Sequence, residues 1–324
     1  MPSLQRFHTF GLQSSCEALH IFDSSDAFLD AHSRYALTYL VGEGSNTLFL
    51  KDFAGAVLVN RMKGLVHKET RDAHIIEVQA GENWHEFVQY CLEQGWYGLE
   101  NLALIPGAVG ASPIQNIGAY GVEAGDFITS VTYTHIESGE IKTLSHAECE
   151  FGYRDSIFKR ALAGKVVITQ LALRLSATPR PVLGYGDLAA RVSESPTPLS
   201  VAQAVCAIRQ EKLPDPAVLA NAGSFFKNPL VSNEHTHRLL KEYPDMPHFP
   251  QPNNQTKLAA GWLIDQCGLK GQRLGAFGVH ERQALVLVHF GGGDRPGLLR
   301  FADTIAQTVF DRFGVLLEPE PRVI

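Results

Sequence analysis

Residues 105–121 read Ile-Pro-Gly-Ala-Val-Gly-Ala-Ser-Pro-Ile-Gln-Asn-Ile-Gly-Ala-Tyr-Gly, with glycines at 107, 110, 118 and 121 and small residues between them. So little side-chain volume cannot build a core. It suits a stretch whose main chain lies close against a flat ligand or its phosphates, because glycine lets the backbone approach without a Cβ in the way. Ile105, Ile114, Ile117 and Tyr120 are spaced as anchors, so a free linker fits the pattern poorly.

A second glycine segment lies upstream. The apolar run Tyr35–Val41 breaks into Gly42-Glu43-Gly44-Ser45-Asn46. Converging backbone N–H groups in such a loop form an anion cradle, to which Ser and Asn can add donors. By itself the segment is also readable as a simple turn after a strand. It is not a Rossmann fingerprint, since Thr47 stands where the third glycine belongs, and the chain has no Gly-x-x-x-x-Gly-Lys-Ser/Thr loop. Taken together, the two segments point to binding of a pyrophosphate and a flavin.

The bulk numbers set the frame. A chain of 324 residues holds two domains, or one with a large insertion, and 45% hydrophobic with 19% charged residues is ordinary for a soluble protein. A formal net charge of -6 without a Lys/Arg run argues against a nucleic-acid partner. Cys16, Cys91, Cys149, Cys206 and Cys267 are scattered and odd in number, which fits reduced thiols rather than a disulfide framework. The first fifteen residues lack an apolar stretch of signal-peptide length, and no run approaches the roughly 18 apolar residues that cross a bilayer. The expectation is a cytoplasmic protein without a membrane partner.

Strands are expected at 35–41, 56–60 and 165–176, 74–82 repeats the pattern of strand into glycine, a hairpin is expected at 128–145, and a helix at 83–95 closed by Gly95. Prolines and small residues cluster at 177–200, which places a boundary near 195. Beyond it, helices are expected at 200–211, 256–267 and 297–313, a buried strand at 283–290 and a strand-like end at 314–324.

Two further segments attract chemistry. Residues 221–229, Asn-Ala-Gly-Ser-Phe-Phe-Lys-Asn-Pro, put one hydroxyl between a glycine and two phenylalanines. That is a turn on apolar side chains, or a hydroxyl held in a partly dry pocket. In 151–159, Arg154 sits among Phe151, Tyr153 and Phe158, so its charge seeks a carboxylate. The partner is Asp155, Asp187 or a ligand. Glu320 lies between two prolines and is either a solvated terminal carboxylate or a held one. His235-Thr-His237 is the only close histidine pair and reads as a surface helix, so no metal is expected. No Gly-x-Ser-x-Gly elbow supports a Ser-His-Asp hydrolase.

The segments FHTFGL (7–12), GEGSNTLF (42–49), GLENLALIPGAVGASPIQNIGAYG (98–121), FGYRDSIF (151–158), YGDL (185–188), KLPDP (212–216), NAGSFFKNP (221–229), KLAAGWLIDQCGLKG (257–271), HERQALVLV (280–288) and LEPE (317–320) resemble the UDP-N-acetylenolpyruvoylglucosamine reductase family, in its longer, type I branch. The resemblance implies an α+β fold: a two-lobed FAD-binding region of the vanillyl-alcohol-oxidase-like (PCMH) type, with lobes at 1–60 and 61–195. A smaller substrate domain at 196–324 would return its C-terminal tail to the active site. It implies non-covalent FAD, held by Gly42, Glu43, Gly44, Ser45, Asn46, Pro106, Gly107, Gly110, Ala111, Ser112, Gln115, Asn116, Gly118 and Ala119. NADPH is the implied co-substrate, and the enolpyruvyl ether of UDP-N-acetylglucosamine the implied small-molecule substrate of a monomeric enzyme. Tyr185, Lys212 and Asn228 fall near the diphosphate, with Tyr120, Arg209 and Gln283 also around the substrate.

The same resemblance implies that hydride delivery to the enol ether leaves an aci-carboxylate, costly without fixed positive charge and donors. Arg154 and Glu320 stabilise it, and Ser224 delivers a proton to carbon. A flavin-dependent oxidase of the same wider group is the alternative, but a hydride-removing enzyme has no carbanion to protonate. Ser224→Ala is expected to spare NADPH-driven bleaching of the flavin and slow reoxidation by the enolpyruvyl compound about 10²–10⁴-fold. Ser224→Cys keeps a transferable proton and some turnover. Stopped-flow absorbance of the two half-reactions checks this, and equal loss of both contradicts the assignment.

Overall fold

The strand Val166–Ser176, VVITQLALRLS, organises the first half of the molecule. Its Leu171, Leu173 and Leu175 alternate onto one fully buried face. A bulge between Ile168 and Gln170 then turns Val167 into a second cluster with Phe22, Phe28 and Leu58. The computed structural model describes residues 1–324 and divides by contacts into two units. One comprises Met1–Pro2, Cys16–Glu43 and Ala54–Arg209; the other, Ser3–Ser15, Gly44–Phe53 and Gln210–Ile324.

In the first unit, Val166–Ser176 is the centre of a five-stranded antiparallel sheet in the order Ile141–Ser145, Ile128–His135, Val166–Ser176, Ala73–Gln79, Leu65–Glu69. The expected hairpin is there, with Ile141 opposite Thr134 and Ser145 opposite Ser130. A three-stranded sheet runs Cys16–Phe22, Phe53–Asn60, Thr38–Val41. Its middle strand is buried at all but Ala54, as a strand covered on both faces must be.

Helix α1 (Ser25–Ser33) is capped by Ser24 and buries Phe28 and Ala31. Helix α2 (Trp84–Glu93) is capped by Asn83, whose side chain accepts from Glu86 N, and the left-handed Gly95 follows its end as anticipated. It buries Trp84, Phe87, Val88 and Cys91. At roughly 1.5–3 kcal/mol per large apolar side chain, that face outweighs the cap's ~1 kcal/mol and fixes the helix in place. Helix α3 (Pro198–Lys212) starts on a reciprocal Thr197–Ser200 pair and sends Val201, Ala202, Ala204, Val205 and Ile208 into the same core.

The second unit holds a four-stranded antiparallel sheet in the order Ala220–Ser224, Val286–His289, Phe277–Val279, Arg273–Leu274. A three-stranded sheet runs Leu230–Ser232, Gln255–Leu258, His248–Gln251. Helices α4 (Asn233–Glu242), α5 (Ala260–Gln266) and α6 (Arg295–Phe313) cover them. Leu298, Phe301, Ala302, Ile305 and Val309 recur on one face of α6, and Asp294 caps it by accepting from Gly297 N. His235 and His237 do lie on a helix, α4, where each bonds a backbone carbonyl.

The α+β class expected from the sequence is what the structure shows. The expected helix at 256–267 is not continuous: Thr256 and Lys257 pair on both sides in the middle of the small sheet, Leu258 pairs with His248, and α5 begins only at Ala260. The buried strand expected at 283–290 shortens to Val286–His289. Contacts change not near 195 but between Arg209 and Gln210, because α3 packs on the first core. Nor do residues 1–60 form one body; Ser3–Ser15 and Gly44–Phe53 belong with the second unit. All five cysteines are unpaired.

Gly81 tests how tightly the first unit is built. A Cβ there would lie 2.5 Å from Met62 N, whereas Gly184 has nothing within 4 Å. Gly81→Ala is expected to cost about 1–3 kcal/mol in urea denaturation. Gly184→Ala should leave the midpoint nearly unchanged.

Candidate functional site

The glycine-rich loop of the first unit is held from behind by the end of the strand Ala73–Gln79. Val109 N donates to Glu82 O, Gly110 N to Ala80 O, and Trp84 N to Gly107 O, each at 2.8 or 2.9 Å. A Cβ on Gly110 would lie 2.5 Å from the Ala80 Cβ, so only glycine permits this approach. Gly42 meets the same loop: its missing Cβ would lie 3.1 Å from Ala108. Arg61 fastens that end, donating to Gly42 O at 3.1 Å and pairing with Glu43 at 3.2 Å.

Further along, several side chains of the expected set turn inward. Ser112 is buried and donates to Val109 O. Asn116 donates to Glu123 Oε2 at 2.7 Å and to Gly152 O at 3.2 Å, and accepts from Gly125 N at 2.8 Å. Any ligand on this stretch therefore meets main chain around Pro106, Ala111, Gln115 and Ala119 more than polar side chains. Leu104, Asn116, Tyr120 and Arg154 all have positive φ, four of the seven non-glycine residues that do. Each left-handed side-chain-bearing residue costs of order 1–2 kcal/mol and persists where the surroundings over-determine it.

Arg154 carries the sharpest feature. Its Nη2 donates to Gly118 O at 3.0 Å, while Nη1 is buried without a partner. The pairing with Asp155 or Asp187 is not made: Asp155 lies 3.2 Å from Arg160, and Asp187 lies 3.9 Å from Arg191. An unpaired buried guanidinium N–H is costly unless an acceptor arrives. Nearby in sequence, the Tyr120 and Tyr185 rings meet edge-on at 6.2 Å, and Asn101 ties Tyr120 O and Val182 O together. Arg209 Nε donates to Leu104 O, and desolvation pulls its guanidinium below the ordinary range.

In the second unit the structure brings Ser224, Glu320 and the loop Gly44–Asn46 onto one backbone frame. Glu320 N donates to Phe225 O at 2.9 Å and Lys227 N to Glu318 O at 2.9 Å. Two residues on, Arg322 N donates to Asn46 O at 2.9 Å, and Arg322–Val323 runs parallel to Thr47–Leu48. The tail is pinned on both sides of Glu320. Phe225 and Phe226 are core anchors, 5.2 Å apart, with Phe10 6.3 Å from Phe225. Asn228 accepts from Ala260 N at 3.0 Å, and Gln283 Oε1 would lie 3.1 Å from a Cβ on Gly261, so both flank the start of α5. Lys212 is the last residue of α3.

A reductase of UDP-N-acetylenolpyruvoylglucosamine from Chromobacterium violaceum is 50% identical over 99% of this chain and 97% of its own length. The chain belongs to the UDP-N-acetylenolpyruvoylglucosamine reductase family. The Pasteurella multocida reductase is 48% identical, covering 100% of this chain and 96% of its own. The reductase family's C-terminal domain matches residues 215–324, and the family described as FAD binding domain matches 23–145. The crystal structure of the Thermus caldophilus reductase shares the fold, with a TM-score of 0.66 at 22% identity over 99% of this chain and 96% of that one.

The FAD expected for this reductase family fits the residues present. Gly110 packs its main chain on Ala80 with no space for a Cβ, which holds the loop's backbone in place, and the buried Arg154 Nη1 awaits an acceptor. Sequence reasoning missed Arg61, Asn101 and His85. Only Asn101 gave a signal, as a lone amide in the apolar run LENLALI.

His85 Nδ1 accepts from Leu104 N at 2.9 Å and so keeps the left-handed Leu104 beneath Arg209. Burial, then the Arg209 charge, holds His85 below its ordinary value of 6.5. A base whose folded pKa is depressed resists protonation while the unfolded chain takes up the proton. Its stability contribution is complete above the unfolded pKa and lost as pH falls below it. Melting temperature is expected to fall more steeply below about pH 6.5 in wild type than in His85→Asn. Parallel pH slopes would refute this role.

Proposed function

We propose that this chain reduces the enolpyruvyl ether of UDP-N-acetylglucosamine to UDP-N-acetylmuramate with NADPH, using bound FAD, as a cytoplasmic monomer in peptidoglycan precursor synthesis. The observation that carries the reading is the full-length match to reductases of this name at up to 50% identity. No helix of the structure is long and apolar enough to cross a membrane.

FAD, when bound, relays hydride from NADPH to the enolpyruvyl carbon. The chain's own residues do the rest. Arg154 supplies a fixed cation through the N–H that has no acceptor in the protein, aimed at negative charge beside the substrate carboxylate. Preorganised donors of this kind are commonly worth 10²–10³ in rate, because nothing has to reorient as charge develops. Ser224 gives up its hydroxyl proton to the carbanionic carbon; for so weak an acid, position matters more than acidity. Glu320, braced by the bonds on either side of it, holds or delivers a proton in the same step. The segments Gly42–Asn46 and Pro106–Ala119 bind the cofactor mainly by main chain. Tyr120, Tyr185, Arg209, Lys212, Asn228 and Gln283 bind the substrate.

Purified holoprotein is expected to be yellow, to bleach anaerobically with NADPH, and to regain colour when the enolpyruvyl compound is added. Colour returning only on admission of oxygen would instead identify an oxidase. Failure to bleach with NADPH would point to a binding protein without redox turnover.

A further inference from the structure

Asn221 is a buried amide that no step above uses. Its Nδ2 donates to Pro214 O at 3.1 Å and to Leu219 O at 2.8 Å, while its Oδ1 accepts from Gly223 N at 3.0 Å. Its own backbone N donates to Thr9 O at 3.1 Å, and it pairs across the sheet with Val288. The side chain is only 3% exposed, so water does not substitute for these partners.

The three contacts fall at informative places. Gly223 precedes Ser224, and the register slips between Asn221 and Ser224, leaving an extra residue opposite Val288–Val286. Gly223 sits at φ +70 with nothing within 4 Å of a would-be Cβ, so crowding does not impose that bulge. What holds it is the Asn221 carbonyl on the Gly223 N–H, an Asx-type bond two residues on. Pro214 lies two residues after Lys212. One amide therefore ties the arm that follows Lys212 to the bulge that presents Ser224.

Only a primary amide of this length supplies two donors on one atom and an acceptor on the other. Aspartate would face two carbonyl oxygens with acceptors, and glutamine is a methylene too long. We propose that Asn221 is a positioning residue that locks Ser224 and the Lys212–Pro214 arm into a single register, so that proton delivery and substrate binding depend on it together. This rests on the function proposed above.

The test compares the two half-reactions in FAD-loaded Asn221→Ala. At saturating NADPH, bleaching should stay within about twofold of wild type, while recovery with saturating enolpyruvyl substrate slows about tenfold or more, with a raised KM. In Asn221→Asp, recovery should improve relative to wild type between about pH 8 and 6, as protonation of the buried carboxyl restores one donor. Hydrogen exchange across 212–224 should quicken about tenfold in Asn221→Ala, with the rest of the protein unchanged. Wild-type recovery and KM in Asn221→Ala would overturn the proposal. So would loss of FAD with both half-reactions falling together, which marks a merely structural residue. If wild-type enzyme bleaches but never recovers with the enolpyruvyl compound, the proposed substrate fails instead, and exchange over 212–224 still decides the bracing role.

Discussion

A loop built of glycines and small residues gives up side-chain burial, and the deficit is made good behind it. In the first unit that support is the ladder of Val109, Gly110 and Trp84 onto residues 80–84 and 107, backed by the fully buried Trp84 and Val109. Asn116 and Asn101 then take over where the strand ends, each using side-chain amide bonds in place of a sheet. The left-handed residues follow from this. A main chain forced to turn without a core beneath it adopts whatever conformations the buried amides dictate.

The second unit solves a different problem, the placement of single side chains. The tail from Glu318 to Ile324 has almost no apolar weight of its own, yet it is bonded to 225–227 on one side and to 46–50 on the other. Prolines at 319 and 321 donate no N–H and stiffen the chain, so the remaining N–H groups, at 320, 322 and 324, carry the attachment. Glu320 is thereby held by its neighbours' bonds as much as by its own.

What could be read from the amino acids follows the range of the forces. The β-prone run 165–176, the hairpin at 128–145 and the apolar spacing of 83–95 closed by Gly95 are local signals, and those elements form as expected. Thr256–Leu258 differs: it closes a tight hairpin with His248–Gln251 and lies beside Leu230–Ser232, so it is a strand where the apolar spacing into α5 suggests helix. Likewise, residues 44–53 join the C-terminal half through a parallel pair with 322–323, nearly 280 positions away, and nothing local announces it. Ser224, Arg154 and Glu320 stood out by neighbouring residue type. Arg61, His85 and Asn221 did not, since their work lies in bonds to carbonyls and N–H groups that only the folded chain brings near.

The left-handed backbone at Arg154 has a consequence for how its proposed role is measured. Replacement by alanine removes the guanidinium but keeps a β-carbon and hence the conformational strain, so the rate change reports the cation. Glycine would relax the main chain as well, and asparagine, at ease in that region, would partly do so. Kinetic losses at this position are therefore comparable only between substituents with the same torsional preference.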